Sequence, residues 1–317
     1  RNEFFKELTA LEVVGRIYVA QEGINAQIAL PSERFEAFKA HLYNYPFLNG
    51  LRLNVAIEEK QKSFIKLDVK VRAKIVADGI EDPEFDPSNR GKYMRAQEWN
   101  EALNDPNTVV IDMRNHYESE VGRFDGAVCP DADTFREELQ GVIEEHNSDR
   151  NKRILMYCTG GIRCEKASAW MKYKGFHEVY HLEGGIINYV NQVQAEGLEN
   201  RFKGVNFVFD QRLAERVSND VISTCHQCGE PADSHINCAN TACHLLFIQC
   251  PTCATKYEAC CSVECQAIAA LPEEQQRIIR KGRGPLKRFS KGRFVANPQG
   301  FKLDEIQKLL QEASVTE

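Results

Sequence analysis

The chain lacks the long apolar run that a membrane span requires. No stretch approaches the roughly 18–20 consecutive apolar residues of a transmembrane helix, and no signal sequence begins it. Both absences predict a soluble protein of the cytoplasm without a membrane partner. Its 317 residues, 43% of them hydrophobic, allow two or three domains at roughly 100–200 residues each.

A surplus of basic charge is also absent. Lys and Arg number 40 against 46 Asp and Glu, so the net charge is −6, which excludes a protein coated in positive charge. The Gly-rich fingerprint of a flavin or nucleotide site is missing. The eight His residues are too scattered to predict an iron site of two His and one carboxylate.

A disulfide framework is not expected either, despite 12 Cys residues. Most lie near the C-terminus in short-spaced pairs, which is typical of metal binding in a reducing compartment. Four close pairs suit two tetrahedral zinc sites, with an iron–sulfur cluster as the alternative. We expect one site from Cys225, Cys228, Cys250 and Cys253, and another from Cys238, Cys243, Cys265 and either Cys260 or Cys261.

One Cys outside this region has the setting of an activated nucleophile. A predicted buried strand ends at Cys158, and Gly160 and Gly161 predict a turn that opens a helix. The N–H groups of such a turn, the positive helix end and the cation of Arg163 favour the thiolate. The loop reads Cys158-Thr159-Gly160-Gly161-Ile162-Arg163. Its C-x4-R spacing is shorter than the C-x5-R of cysteine phosphatases and suits a single added sulfur atom.

Around this loop, strand and helix patterns alternate from residue 97 to residue 200. Strands are predicted over 109–114, 153–157 and 179–182, and helices over 166–173 and 186–193. This order predicts a parallel sheet with the site at the strand C-termini. We expect Asp112 and Arg114 to support the scaffold as an ion pair. Cys164 is a candidate resolving thiol, and Cys129 is interpreted as a small buried residue.

The block 97–200 resembles a rhodanese sulfurtransferase domain. The motifs that carry the resemblance are Val110-Ile111-Asp112-Met113-Arg114-Asn115 with Tyr117-Glu118, Phe124-Asp125-Gly126-Ala127, the Cys158 loop and Leu182-Glu183-Gly184-Gly185-Ile186. In that family the first loop Cys carries a persulfide. The resemblance therefore implies that Cys158, and not Cys164, is the nucleophile.

The predicted fold class is α/β with several domains. Residues 1–75 follow an α-β-β-α-β pattern, with helices over 4–13 and 32–42, extended runs within 15–30 and a strand over 51–57. With one more strand ahead of it, this pattern would complete a ferredoxin-like, acylphosphatase-like sandwich. Residues 76–96 are interpreted as a connecting arm, and residues 201–317 as a small Cys-rich helical domain.

Basic residues cluster after the Cys-rich region. The segment 277–294 has eight of them, two Phe and no acidic residue, a composition that neutralises phosphates and stacks bases. We interpret it as an RNA-binding segment. Its basic residues are Arg277, Arg280, Lys281, Arg283, Lys287, Arg288, Lys291 and Arg293.

The order of these parts resembles the bacterial tRNA uridine hydroxylase family. The resemblance also includes Cys225-His226-Gln227-Cys228, residues 243–253 and Glu22-Gly23-Ile24-Asn25, although Ala26 and Gln27 depart from the last motif. It implies oxygen-dependent hydroxylation of the wobble uridine, position 34 in the tRNA anticodon loop, to 5-hydroxyuridine. Cys158 would add to C6 of the uracil or pass through a persulfide or sulfenic state.

Two other functions stay open at this point. The C-x4-R loop alone predicts a sulfurtransferase that forms a persulfide from thiosulfate or another sulfur donor. A non-catalytic, zinc-containing tRNA-binding scaffold is the third candidate, and the presence of both Cys158 and Arg163 disfavours it. The sequence indicates neither an electron donor nor an oligomeric state.

Overall fold

The N-terminal unit is a three-stranded sheet packed against two helices. In the computed structural model, which describes residues 1–57, 63–281 and 294–314, its elements are α1 (Asn2–Ala10), β1 (Val14–Ala20), β2 (Gly23–Ala29), α2 (Phe35–Tyr43) and β3 (Leu67–Val71). The strand order is β2-β1-β3, with β1 antiparallel to β2 and parallel to β3. Leu8 of α1 and Phe38 of α2 share a core with Ile17 and Val69 of the sheet.

The strand predicted over 51–57 is wrong, because the third strand of this sheet is β3. Residues 51–56 form no regular secondary structure and pair with no described strand. Their polar groups contact the central unit instead: Asn54 donates to the carbonyl oxygens of Gly160 and Gly184, and Asn191 donates to that of Val55. The alternating apolar residues of this segment predicted a strand. They carried no information on which partner would satisfy the polar groups of the segment.

The connecting arm is ordered and packs on the central unit. Ile80 is buried in the same core as Cys158. The Phe85 ring lies edge-on to Trp170, with 5.3 Å between ring centroids. The end of the arm adds the edge strand β4 (Lys92–Met94) to the central sheet. The arm thus holds the N-terminal unit close to the central one.

The central unit is a parallel sheet with helices on both faces. Its further strands are β5 (Thr108–Asp112), β7 (Arg153–Tyr157) and β8 (Glu178–Leu182), in the order β4-β8-β7-β5. Its helices are α3 (Ala96–Ala102), α4 (His116–Val121), α5 (Phe135–Glu145), α6 (Ile162–Tyr173) and α7 (Gly185–Glu196). Met156 of β7 packs with α5 and α6, whereas Leu155 packs with α3 and α7. Burial on both faces explains why β7 is apolar from Ile154 to Tyr157.

The region beyond residue 200 contains strands as well as the expected helices. A second sheet has the order β10-β9-β6 and joins β9 (Phe202–Phe207) and β10 (Ala214–Arg216) to β6 (Gly122–Phe124) of the central unit. Beyond it follow β11 (His235–Asn237), β12 (Leu246–Ile248), α8 (Pro251–Lys256), α9 (Val263–Ala269), α10 (Glu273–Arg280) and α11 (Leu303–Ser314). Among the described helices, none combines the length and apolarity needed to cross a membrane.

Candidate active site and metal sites

Cys158 lies between the C-terminal end of β7 and the first turn of α6. Its Sγ accepts a hydrogen bond from the backbone N–H of Gly161 at 3.2 Å. Gly161 has φ +94°, a left-handed conformation that a side chain would strain. Gly185 is equally constrained, because a Cβ there would lie 2.4 Å from the carbonyl oxygen of Cys158. The two glycines let the loop close around the sulfur atom.

The surroundings of Cys158 favour its thiolate. Burial raises the pKa of the thiol, but a hydrogen bond from the Cys164 thiol, the charge of Arg163 and the backbone N–H groups of both residues lower it to about 6. Burial and the same thiol–thiol hydrogen bond raise the pKa of Cys164 well above its ordinary value. Cys164 therefore keeps its proton and serves as a hydrogen-bond donor to the Cys158 sulfur.

Arg163 is held by a carboxylate that sequence reasoning did not assign to the site. Its terminal nitrogens donate to both oxygens of Glu118 at 2.7 and 2.8 Å, and its guanidinium carbon lies 5.7 Å from the Phe209 ring centroid. Glu118 is completely buried. It also accepts from the N–H of Asn115 and the hydroxyl of Thr159. The spacing Asn115-x-x-Glu118 is a capping box, which was the sequence signal for a fixed acidic side chain here.

Two further carboxyl groups are buried near this ion pair. Asp112 accepts from the Arg114 guanidinium at 2.8 and 2.6 Å, so these residues form the expected scaffold ion pair. Glu138 of α5 was missed by sequence reasoning, because helical periodicity alone gives no reason for a charged residue on a buried face. Neither of its carboxyl oxygens has a hydrogen-bond partner among the residues that the structure describes. Burial is the main cause that raises its pKa well above the ordinary value, and Arg163 only partly opposes it. The site therefore favours the neutral, protonated form of Glu138.

A cleft of about 2200 Å³ separates the N-terminal unit from the Cys158 loop. The whole predicted loop, from Cys158 to Arg163, lines it, together with strand β2 and residues 50–56. Cys129, by contrast, is half-buried outside this lining, and its thiol lies 3.6 Å from the Ala127 carbonyl oxygen. This volume exceeds the roughly 300–1,000 Å³ of an ordinary small-molecule pocket, so the cleft has room for more than one nucleotide.

A buried ion cluster joins the two sides of the cleft. The Nζ atom of Lys166, on α6, lies 2.7 Å from both carboxylate oxygens of Glu22 and 2.5 Å from Asp78. Glu22 also accepts from the backbone N–H of Ile75 at 2.7 Å, and Asn25 donates to the Ile75 carbonyl oxygen. The Glu22–Asn25 motif thus attaches the connecting arm and α6 to the N-terminal sheet.

The Cys-rich region contains two groups of four thiols that could hold a metal. In each group all Sγ atoms lie within 4.8 Å of one another; the groups are Cys225, Cys228, Cys250 and Cys253, and Cys238, Cys243, Cys261 and Cys265. The pairing along the chain is the expected interleaved one. Cys261 completes the second group, with its Sγ 3.7 Å from Cys243 and 3.6 Å from Cys265. Cys260 is buried but lies outside both groups.

The predicted RNA-binding segment is only partly described. Arg277 and Arg280 lie on α10, where Arg277 pairs with Glu273 and Arg280 donates to Thr241 at 2.7 Å. Lys281 follows the helix and is exposed. Arg283, Lys287, Arg288, Lys291 and Arg293 lie outside the described residues. Neither Arg277 nor Arg280 lines the Cys158 cleft.

Comparisons with known proteins agree with this division of the chain. Family models match an acylphosphatase-like domain of UPF0176 over residues 1–75, a rhodanese-like domain over 95–192 and a rhodanese C-terminal domain over 203–266. The tRNA uridine(34) hydroxylase of Salmonella newport is 57% identical over 299 residues, which cover 94% of this chain and 85% of that protein. The chain belongs to the tRNA uridine(34) hydroxylase family.

A second relative and a solved structure were also found. The family member from Sodalis glossinidius is 55% identical over 295 residues, covering 92% of this chain and 84% of that protein. Among solved structures, a rhodanese-like domain from Anabaena is 20% identical, with a TM-score of 0.28, and covers 35% of this chain and 78% of that one. The family assignment confirms the expected acylphosphatase-like and rhodanese parts of the fold.

Proposed function

We propose that this protein hydroxylates C5 of uridine 34 in tRNA, giving 5-hydroxyuridine, with Cys158 as the nucleophile. One observation carries the proposal. A thiol with a pKa of about 6 lines a cleft with room for more than one nucleotide, in a chain 57% identical to a tRNA uridine(34) hydroxylase. At neutral pH such a thiol is mostly thiolate and is ready to attack.

In the proposed reaction the Cys158 thiolate adds to C6 of the uracil. The new S–C6 bond forms as the C5=C6 π electrons move toward C5 and O4, which makes C5 a nucleophile toward oxygen. Molecular oxygen supplies the hydroxyl oxygen, and an external reductant supplies the electrons that convert the other oxygen atom to water. Loss of the C5 proton then expels the Cys158 thiolate from C6 and restores the C5=C6 double bond. A persulfide or sulfenic state of Cys158 is the alternative form of the nucleophile.

The fixed guanidinium of Arg163 supports this chemistry electrostatically. Because Glu118 occupies both terminal nitrogens, Arg163 cannot swing away from the loop. Its charge and the N–H of Gly161 stabilise the sulfur as an anion before attack and as a leaving group afterwards. Cys158 itself is 1% exposed, so uridine 34 must leave the anticodon stack to reach it.

Zinc fits both four-cysteine groups. A tetrahedral site with Zn–S bonds of about 2.3 Å requires S–S separations of about 3.8 Å, and the separation between Cys228 and Cys250 is 3.6 Å. Bound zinc would cross-link strands and helices of a small region and stabilise its fold. We infer a structural role, because neither group contributes a residue to the Cys158 cleft. The basic residues of the segment 277–294 would bind tRNA phosphates.

Nucleoside analysis of tRNA from a deletion strain tests the proposal. The strain is complemented with the wild type, with Cys158→Ala, or with Cys129→Ala as a matched cysteine outside the cleft. We expect 5-hydroxyuridine and its derivatives at position 34 with the wild type and Cys129→Ala, and none with Cys158→Ala. Full modification by Cys158→Ala would remove Cys158 from the reaction and favour a scaffold role for the rhodanese part.

A sulfurtransferase is the second candidate, favoured by the C-x4-R loop and by the N–H of Gly161 that points at the Cys158 sulfur. A cyanide-acceptor assay with thiosulfate distinguishes it from the hydroxylase. Sulfur transfer at an ordinary enzymatic rate, with position 34 still hydroxylated in the deletion strain, would establish the sulfurtransferase instead. Turnover with tRNA and oxygen, without a sulfur donor, supports the hydroxylase.

A further inference from the structure

Two arginines surround a tyrosine on the rim of the Cys158 cleft. The guanidinium carbons of Arg52 and Arg90 lie 5.2 and 5.4 Å from the ring centroid of Tyr93. The Tyr93 hydroxyl donates to Glu165 at 2.7 Å, and Nε of Arg90 lies 3.2 Å from the other Glu165 oxygen. Arg52, Arg90 and Tyr93, called here the Arg–Tyr cluster, all line the cleft.

Contacts on both sides fix the position of Arg52. The next residue, Leu53, packs into the N-terminal core. Arg52 itself approaches Glu165 and Glu183 of the central unit. Asn54 donates to the carbonyl oxygen of Gly160, within the Cys158 loop, at 3.1 Å. The Arg–Tyr cluster is thus adjacent to the loop, because Glu165, which Tyr93 and Arg90 contact, follows Arg163 by two positions.

The cluster combines exposed planar groups with balanced charge. The side chains of Arg52 and Arg90 are 34% and 47% exposed. Arg52 approaches Glu165 and Glu183 only to 3.9 Å, longer than a hydrogen bond. The two positive charges of the arginines are balanced by the negative charges of Glu165 and Glu183. The cluster is therefore a weak binding site for a phosphate group alone. Guanidinium planes stack on nucleobases, and neighbouring carboxylates accept hydrogen bonds from base N–H groups.

We propose that the guanidinium planes of Arg52 and Arg90, oriented by Tyr93, are the stacking site for a nucleobase of single-stranded RNA that flanks the base reacting at Cys158. This inference rests on the proposed function, because it takes RNA as the occupant of the cleft. Extruding one base of the anticodon loop unstacks its neighbour, and a protein surface that stacks the neighbour compensates for that loss.

Arg-to-Lys substitutions keep the positive charge and remove the planar guanidinium group, so they test stacking separately from charge. Affinity of an anticodon stem–loop RNA is measured over a salt titration for the wild type and for the double variant Arg52→Lys/Arg90→Lys. Lys keeps the positive charge but has no plane to stack. We expect roughly tenfold weaker binding with an unchanged salt dependence. The alkylation rate of Cys158 should stay at its wild-type value.

Arg153→Lys is the matched control. Arg153 also has a carboxylate partner, Asp105 at 3.4 Å, and a tyrosine ring, Tyr180 at 6.0 Å, but it lies at the opposite end of β7. Wild-type affinity of the double variant, or an equal loss in Arg153→Lys, would overturn the inference while leaving the hydroxylase function intact. A wild type that does not bind this RNA would overturn the tRNA substrate and the inference together.

Discussion

Arg163 and Glu118 form a bidentate ion pair whose carboxylate is completely buried, although the two residues are 45 positions apart. Helix α4 thereby fixes the cation of a loop that follows a different strand. Breaking a buried pair leaves an uncompensated charge away from water, which costs more than the pair contributes when intact. The ion pair therefore joins the stability of the central unit to the chemistry of Cys158.

Glu118→Gln should consequently destabilise the fold. The neutral amide leaves the Arg163 charge uncompensated, so we expect the free energy of unfolding to fall by about 3 kcal/mol in urea titrations. Glu12→Gln is the control, because it breaks an exposed pair with Arg34 and should change stability by less than about 1 kcal/mol. Equal effects of the two substitutions would contradict a special role for the buried pair.

The reactivity of Cys158 should follow its lowered pKa. Alkylation by iodoacetamide, followed on the Cys158 peptide by mass spectrometry, should reach half its maximal rate near pH 6 and be fastest above it. Cys164→Ala removes the thiol donor and should move the midpoint to higher pH. Cys164→Ser restores a donor and should move it less. If the two Cys164 variants share the wild-type midpoint, the thiol–thiol hydrogen bond does not stabilise the thiolate.

The loop could be predicted from the sequence because its determinants are local. β7 is apolar from Ile154 to Tyr157, and Cys158, the loop glycines and Arg163 follow within six positions. Glu118 and Lys166 could not be assigned, because their partners are 45 and 144 positions away and no periodic pattern encodes such distances. The strand predicted over 51–57 fails for the same reason, since alternation predicts extension but not pairing.

Glu138 should make the fold more sensitive to high pH. Its folded-state pKa is raised above the ordinary 4.5, so its contribution to stability is complete below pH 4.5 and is lost as pH rises toward the folded value. The charged groups that act on it are Arg163, Asp112, Glu118 and Cys158. The Gln side chain of Glu138→Gln does not ionise in this pH range, so it contributes no such pH dependence. Relative to the wild type, it should gain up to about 1.4 kcal/mol per pH unit above pH 4.5.

Urea unfolding of both proteins between pH 5 and pH 8 measures this difference. Glu144→Gln, on the exposed side of the same helix, is the control. Its free energy of unfolding should change with pH in the same way as that of the wild type. A constant difference between Glu138→Gln and the wild type across this range would mean that Glu138 is ionised in the folded protein.

The metal content should distinguish two adjacent cysteines. We expect about two zinc ions per chain by elemental analysis, because each four-thiol group suits one ion. Cys261→Ser removes a member of the second group and should lower the content to about one, whereas Cys260→Ser should keep both ions. From the sequence, either Cys260 or Cys261 could be the fourth ligand, because only the fold decides which of them faces Cys243. A loss of zinc in Cys260→Ser and not in Cys261→Ser would reverse the assignment.

Lys166 should control access to Cys158 without changing its pKa. Its ammonium contacts Glu22 and Asp78 and is 6% exposed, so Lys166→Met leaves two carboxylates facing each other beside an apolar side chain. We expect the N-terminal unit to separate from α6 more often. Alkylation of Cys158 should then become about tenfold faster, which corresponds to a loss of only about 1.4 kcal/mol of closing free energy.

The pH at half-maximal alkylation should stay near 6 in Lys166→Met, because none of the groups that lower the pKa of Cys158 is changed. Modification of tRNA should fall despite the faster alkylation, since a loosened cleft no longer holds the segment 51–56 against the loop. Lys152→Met removes an exposed pair with Asp149 and should alter neither rate. If Lys166→Met alkylates at the wild-type rate and modifies tRNA normally, the ion cluster does not govern the cleft and the contacts of Asn54 must hold the two units together.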